Sequence, residues 1–196
     1  MARRGDVNTA ALVLAAGQGS RFGGAKQLAQ WRGKPLVQHS IDLANSVAPG
    51  RVYVVLGAYR DAVVEAVTGA QAVHNPDWQR GLSSSIARGV AALPPDTGRV
   101  LLILADQVGL TAESLSRLLL GVEGSKSICC ARYQGVNGIP AVFHRCWFPT
   151  LMNLDGDRGA RELLRSDWAP VNAIDMPEAG IDIDTREDMN RLAGDR

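Results

Sequence analysis

The chain has 196 residues, 46% of them apolar, which is enough to bury a sizeable core in one domain and too few for two large ones. Lys plus Arg number 21 and Asp plus Glu 20, a formal net charge of +1. That balance gives no general attraction for nucleic acid or an anionic membrane, so neither is an expected partner, and any phosphate must be held by a local arrangement.

Residues 1–9 are expected to form a disordered tail and residues 10–196 a single domain. Arg3 and Arg4 precede the apolar run AALVLAA (10–16), but seven residues is at the bottom of the range for a signal peptide, and the run ends in a Gly-rich turn. No segment approaches the length of a membrane span, and the expected location is cytoplasmic. The runs at 10–16, RVYVVLG (51–57), QAVH (71–74) and RVLLILA (99–105) predict buried strands, and such continuous apolar runs suit a parallel sheet covered on both faces.

Helical patterns lie between them. Pro35 is placed at a first helical position, with Val37, Ile41 and Ala44 recurring at helical spacing. Residues 60–68 and 82–93 predict two more helices. Thr111 is a good N-cap for the next, which turns Leu115, Leu118 and Leu119 inward and stops near Gly121. Strands are expected at 127–132 and 139–143 and a helix at 157–166. IDID (181–184) reads as a strand, and Thr185 with Asp188 forms a capping box for a last helix. The alternation implies an α/β fold, a doubly wound, mostly parallel sheet with helices on both faces. Cys129, Cys130 and Cys146 match no zinc or disulfide framework, and the adjacent pair reads as small hydrophobes in a strand.

The first strand runs into LAAGQGSRFGGAKQL, where Gly17, Gly19, Gly23 and Gly24 crowd a loop carrying Arg21 and Lys26. Glycines let backbone amides approach phosphate oxygens closely, and two nearby cations neutralise a triphosphate. A Walker loop requires Ser or Thr after a GK pair, and here Ala25 follows Gly24. A dinucleotide fingerprint places a third glycine where Phe22 stands, and the second strand ends in LGAYRD, without an acidic residue to hold a ribose. A flexible turn accounts for the glycines but not for Arg21 and Lys26 together.

Asp106 ends the 99–105 run, where a carboxylate faces the cleft beside the Gly-rich loop. An Asp at a strand end is also a common turn or cap residue, although Thr111 already supplies a cap. Asp182 and Asp184 alternate with Ile181 and Ile183, which in a strand puts both carboxylates on one face. Spacing alone leaves two readings open, a solvated face or a pair bridged by a cation. His39, His74 and His144 pair with no nucleophile at a recognisable spacing, and Trp31, Trp78, Trp147 and Trp168 show no regular spacing of a nucleic-acid platform.

The LAAGxGxRFGxxKQL segment resembles the signature loop of the MobA-like nucleotidyltransferases, and within them is most similar to the molybdenum cofactor cytidylyltransferase branch, because AAG stands at 15–17 where guanylyltransferases more often show AGG. The resemblance covers roughly residues 10–193. It implies a Rossmann-like nucleotidyltransferase fold that transfers a nucleotide from CTP, or GTP, to a phosphorylated acceptor such as molybdopterin cofactor, with Mg2+. It further implies that Leu14, Ala15, Ala16, Gly17, Gly19 and Ser20 wrap the nucleotide, that Arg21 and Lys26 act on its phosphates, and that Asp106 binds metal. IDIDT matches the family's late acidic element, with Asp182 as first choice for a second ligand and Asp184 behind it. Val108 and Arg186 depart from the family pattern, where proline is usual at both places, and this touches turn stiffness more than chemistry.

By the same resemblance, Asn75 and the triplet Ser83, Ser84 and Ser85 line the nucleoside pocket, although any of the serines would also serve as a helix cap. VNGIPAVF (136–143), with Gly138 and Pro140, resembles the family's GxPxxF motif. LDGDRGARELL (154–164), with Gly156, Asp157, Arg158 and Arg161, resembles its GDxGAR motif. With Gln107 these are expected on the acceptor side, where glycines ahead of a helix and arginines suit a phosphate, and as bare residues they equally suit an ordinary helix start. The remaining alternatives are transfer to a sugar phosphate or other small phosphorylated acceptor, an NAD(P)-dependent oxidoreductase on a related fold, and a non-enzymatic partner delivering cofactor to a molybdenum hydroxylase.

Overall fold

The structure is a computed structural model, and it describes residues 8–156 and 159–194. β1 (Thr9–Ala15) leads through the Gly-rich loop into a short antiparallel hairpin, β2 (Gln30–Trp31) and β3 (Lys34–Pro35), and then α1 (Leu36–Val47). β4 (Val52–Leu56), α2 (Arg60–Val64), β5 (Gln71–His74), α3 (Leu82–Ala91) and β6 (Arg99–Leu104) complete the regular half. The second half contains α4 (Ala112–Leu120), β7 (Ile128–Tyr133), β8 (Val136–His144), α5 (Phe148–Met152), α6 (Arg161–Leu164), β9 (Val171–Asp175) and α7 (Arg186–Gly194).

Seven strands form one sheet in the order β5-β4-β1-β6-β8-β7-β9. The first four are mutually parallel, β8 runs antiparallel to both β6 and β7, and β9 is parallel to β7, so the sheet is mostly parallel. Alternate residues of the central β1 feed two separate cores. Ala11, Val13 and Ala15 pack with Val37 and Ile41 of α1 and Leu115 and Leu118 of α4. Ala10, Leu12 and Leu14 pack on the other face with Ile86 and Val90 of α3, Leu151 of α5 and Leu163 of α6. Burial on both faces is why these strands read as continuous apolar runs rather than alternating ones. Gly89 sets how closely α3 approaches, since a Cβ there would lie 2.4 Å from a methyl of the fully buried Leu12.

Several predicted boundaries shift. Asn8 and Thr9, assigned to the tail, belong to the fold: Thr9 pairs with Arg99, and the Asn8 carbonyl accepts from Gly98 at 2.8 Å. Residues 1–7 lie outside the described residues. Pro35 pairs with Gln30 in the hairpin and caps α1 from an extended conformation instead of beginning it. The expected helix over 157–166 is only α6, because Gly159 sits at φ +56°, outside helical space.

IDID is not a strand. It crosses the C-terminal end of β6, held by a single bridge between Gln107 and Asp182 and by the Ile183 amide donating to the Asp106 carbonyl at 3.1 Å. Ile183 is buried with Phe22, Trp31 and Leu36, while Ile181 is 40% exposed. The Thr185 cap of α4's kind recurs at α7 as a reciprocal box: Thr185 N donates to Asp188 Oδ2 at 2.9 Å and Asp188 N to Thr185 Oγ1 at 3.1 Å. Among the described residues, no helix is long and apolar enough to cross a membrane.

Candidate active site at the C-terminal edge of the parallel strands

The C-terminal ends of β1 and β6 lie side by side, so the loop after Ala15 and the loop after Leu104 open onto the same space. A cavity of about 300 Å³ occupies it. Its lining includes Leu14 and Ala15 from the end of β1, Ala16, Gly17, Gly19, Ser20, Arg21 and Lys26 from the first loop, Asp106 from the second, and Asp184 and Ser85. These expected residues are brought together.

The loop is wound tightly on itself. Gly19 adopts φ +64° and its carbonyl accepts from Phe22 and Gly23, while Lys26 N donates to the Gly24 carbonyl at 2.7 Å. A Cβ on Gly19 would lie 2.6 Å from the Gly24 oxygen, so both the backbone conformation and the space require glycine. Phe22 anchors the far side of the loop in the small core with Ile183, and the Arg186 guanidinium lies 5.1 Å over its ring. Gln27, which the sequence reading passed over, ties the loop to its strand: its buried amide donates to the Ala15 carbonyl at 2.8 Å and the Gly17 carbonyl at 2.6 Å. By contrast Gly17 has nothing within 4 Å of a built Cβ and opens on the cavity.

Charge is concentrated at one end. Lys26 Nζ lies 2.7 Å from Asp106 Oδ2 and 2.9 Å from Asp184 Oδ1, and Arg21 Nη1 lies 2.9 Å from Asp184 Oδ2. Burial disfavours the Lys26 ammonium, but the charge and hydrogen bonds of Asp106, then of Asp184, outweigh it and hold its pKa above the usual lysine value. Asp106 Oδ1 is buried with no hydrogen-bond partner. Asp182 turns toward a neighbouring depression that shares Arg21 and Asp184 with the cavity. Its carboxyl is pushed up by burial and then by the charges of Asp184 and Asp106. Losing the strand geometry brings Asp184, not Asp182, onto the lysine that Asp106 holds. Among the described residues, no group of three or more His, Cys, Asp or Glu side chains is disposed to hold a metal ion alone. An unpartnered buried carboxylate oxygen beside two further acids nevertheless fits a hard divalent cation whose remaining ligands are phosphate oxygens and water.

The serine triplet divides. Ser85 is buried and lines the cavity, accepting from Asn75 Nδ2 at 3.0 Å. Ser83 is fully buried and donates to the Asp155 carbonyl at 3.1 Å. Ser84 donates to the Gly81 and Asp77 carbonyls, and no serine caps α3, whose N-cap is Gly81. Asn75 is buried, with its oxygen accepting from Asp77 N and its amide donating to Ser84 and Ser85. Asn75, Ser83 and Ser84 are thus supports rather than cavity-lining contacts. Trp78, Gly81 and Leu82 form that wall instead; Trp78 had been set aside for lack of spacing, and its signal is Gly57, where a Cβ would lie 2.5 Å from Trp78 Cβ.

The described residues expected on the acceptor side lie outside this cavity. Gln107 is buried: its oxygen accepts from Leu104 N, and its amide donates to the Ile139 and Ala179 carbonyls, each at 2.8 Å. The GxP motif serves that clamp. Ladder pairing jumps between Cys130–Ala141 and Ala131–Gly138, leaving Ile139 and the buried Pro140, which lacks an N–H, outside the register. The freed Ile139 carbonyl takes Gln107 and also the Tyr133 hydroxyl at 3.1 Å. Gly138 lies under the Tyr133 ring. Gly156 is an exposed turn at φ +76° and Arg161 is exposed at the head of α6. Neither lines the cavity, and Asp157 and Arg158 lie outside the described residues. Tyr133 was not singled out from sequence. Its hydroxyl is pushed up by burial, then by the charge of Asp182, with Arg161 opposing.

The MobA-like NTP transferase domain matches over residues 11–173. Nicotine blue oxidoreductase of Paenarthrobacter nicotinovorans is similar at 34% identity, over 92% of this chain and 94% of that one. The crystal structure of the Rv0371c homolog from Mycobacterium sp. strain JC1 superposes with a TM-score of 0.84 at 31% identity, over 95% of both chains. Rv0371c of Mycobacterium tuberculosis H37Rv, in a structure complexed with manganese, gives a TM-score of 0.80 at 28% identity, over 96% of this chain and 100% of that one.

Proposed function

The chain belongs to the MobA-like NTP transferase domain family, and we propose that it transfers CMP from CTP to the phosphate of molybdopterin cofactor, releasing pyrophosphate. The observation that carries this reading is the convergence of Arg21 and Lys26 with Asp106 and Asp184 at one end of a glycine-walled cavity. An ionised phosphate oxygen of the acceptor attacks the α-phosphorus. A new P–O bond forms as the bond to the β-phosphate oxygen breaks, and pyrophosphate leaves with that electron pair. No general base is needed, in keeping with histidines that stand away from the cavity lining.

Lys26 and Arg21 take the charge accumulating on the departing pyrophosphate. The amides of the 16–20 turn approach the phosphates where Gly17 leaves room. Ser85 accepts from Asn75, so its own proton is left to donate into the cavity toward an acceptor atom of the base. Asp106 with Asp184, and Asp182 on the flank, are the residues that would hold Mg2+, which when bound polarises phosphate oxygens and neutralises their charge. The test is pyrophosphate release with molybdenum cofactor and Mg2+, comparing CTP, GTP, ATP and UTP. Release confined to CTP is the expected result; release with GTP, or only with a sugar phosphate as acceptor, transfers the reading to those substrates.

One observation favours a second reading, that of an oxidoreductase: the 34% identical relative bears that name. NADPH binding in the absence of any CTP binding would select it.

A further inference from the structure

Lys26 touches Asp106 and Asp184 together, at 2.7 and 2.9 Å. Its side chain is only 16% exposed, and it engages the only partnered oxygen of Asp106 among the described residues. Asp184 has a cation on each oxygen, Lys26 on one and Arg21 on the other. The two cations suited to a triphosphate thus contact the two carboxylates suited to a metal.

We propose that the Lys26 ammonium is a tethered stand-in for the divalent cation, so that metal binds weakly until a triphosphate draws Lys26 away. This rests on the nucleotidyl-transfer reading above. An ammonium and a divalent ion cannot both sit between the same carboxylates, because their mutual repulsion at about 3 Å opposes either one's attraction. The exchange is nearly balanced in charge: two protein cations pass to the phosphates, and a doubly charged ion replaces them on Asp106 and Asp184. Only the side chain has to move. The Lys26 backbone is fixed by its amide on Gly24 and by its carbonyl, which accepts from Ala29 at 3.0 Å.

The test is Mn2+ binding followed by electron paramagnetic resonance of free Mn2+, on folded full-length protein, with and without a CTP analogue carrying a methylene between the α- and β-phosphorus. Without nucleotide, Lys26→Met is expected to bind Mn2+ about tenfold or more tightly than the parent, and Lys26→Arg, which keeps the charge, to stay weak. Equal nucleotide-free affinity in the parent and Lys26→Met would overturn the inference while leaving nucleotidyl transfer standing. If Lys26→Met does not fold, Lys26→Gln enters the same comparison. Mn2+ that fails to bind the parent protein even with the analogue overturns the metal–nucleotide reading and this inference with it.

Discussion

Lys26 and Asp106 stand 80 residues apart in the chain and 2.7 Å apart in the fold. The pairing follows from strand order: β1 and β6 are neighbours and parallel, so the loops leaving their C-terminal ends meet. The site's chemistry depends on that adjacency.

Asp106→Ala is expected to reduce pyrophosphate release by about a thousandfold, the upper range for removing a group that stabilises transition-state charge. Full activity with Mg2+ in this variant would rule out the proposed role. Circular dichroism should show the sheet intact, because the Asp106 carbonyl, which the substitution keeps, is what accepts from Ile183.

Gly17→Ala and Gly57→Ala should separate binding from stability. A Cβ at Gly17 meets nothing within 4 Å, so the unfolding midpoint should stay put while the KM for CTP rises, because the methyl enters the phosphate cradle. A Cβ at Gly57 would lie 2.8 Å from the Ala16 carbonyl as well as against Trp78. Overpacking of that kind costs about 1–3 kcal/mol, measurable by urea unfolding, with a change in Trp78 fluorescence.

Gln27→Leu removes the donor shared by the Ala15 and Gly17 carbonyls. Losing the buried bond to Ala15 and the part-buried bond to Gly17 should destabilise the fold by about 1–3 kcal/mol and raise the KM for CTP, since the same bonds hold the loop against its strand. Unchanged stability and unchanged KM would show that the loop is held by its own backbone bonds.

Only Cys146 should react with a thiol reagent in the native protein near pH 8, and all three cysteines in denaturant. Burial pushes Cys129 up to about 12 and Cys130 up to about 11, with both side chains fully covered in β7, whereas Cys146 is exposed. Rapid native reaction of more than one thiol would mean that β7 opens to solvent.

The sequence by itself determined the elements whose signal is local. Three apolar runs became β1, β4 and β6 within a residue or two, QAVH became β5 as an exposed edge strand rather than a buried one, and Thr111 caps α4 through its bond from Ser114 N. It also determined the Gly-rich loop and the Asp at the end of β6, because a glycine-rich loop and a strand-end acid are each written in consecutive residues. Tertiary structure decided everything that depended on partners distant in the chain. Alternation alone made IDID a strand, but Ile183 left for the small core with Phe22, and that choice turned Asp184 to Lys26 and Asp182 away. Asn75, Ser83 and Gln107 have polar side chains suited to ligands, yet the buried carbonyls and hydroxyls that claim them come from other segments. A polar side chain goes wherever an unpaired group would otherwise be buried, and where those groups lie is fixed only when the strands are assembled.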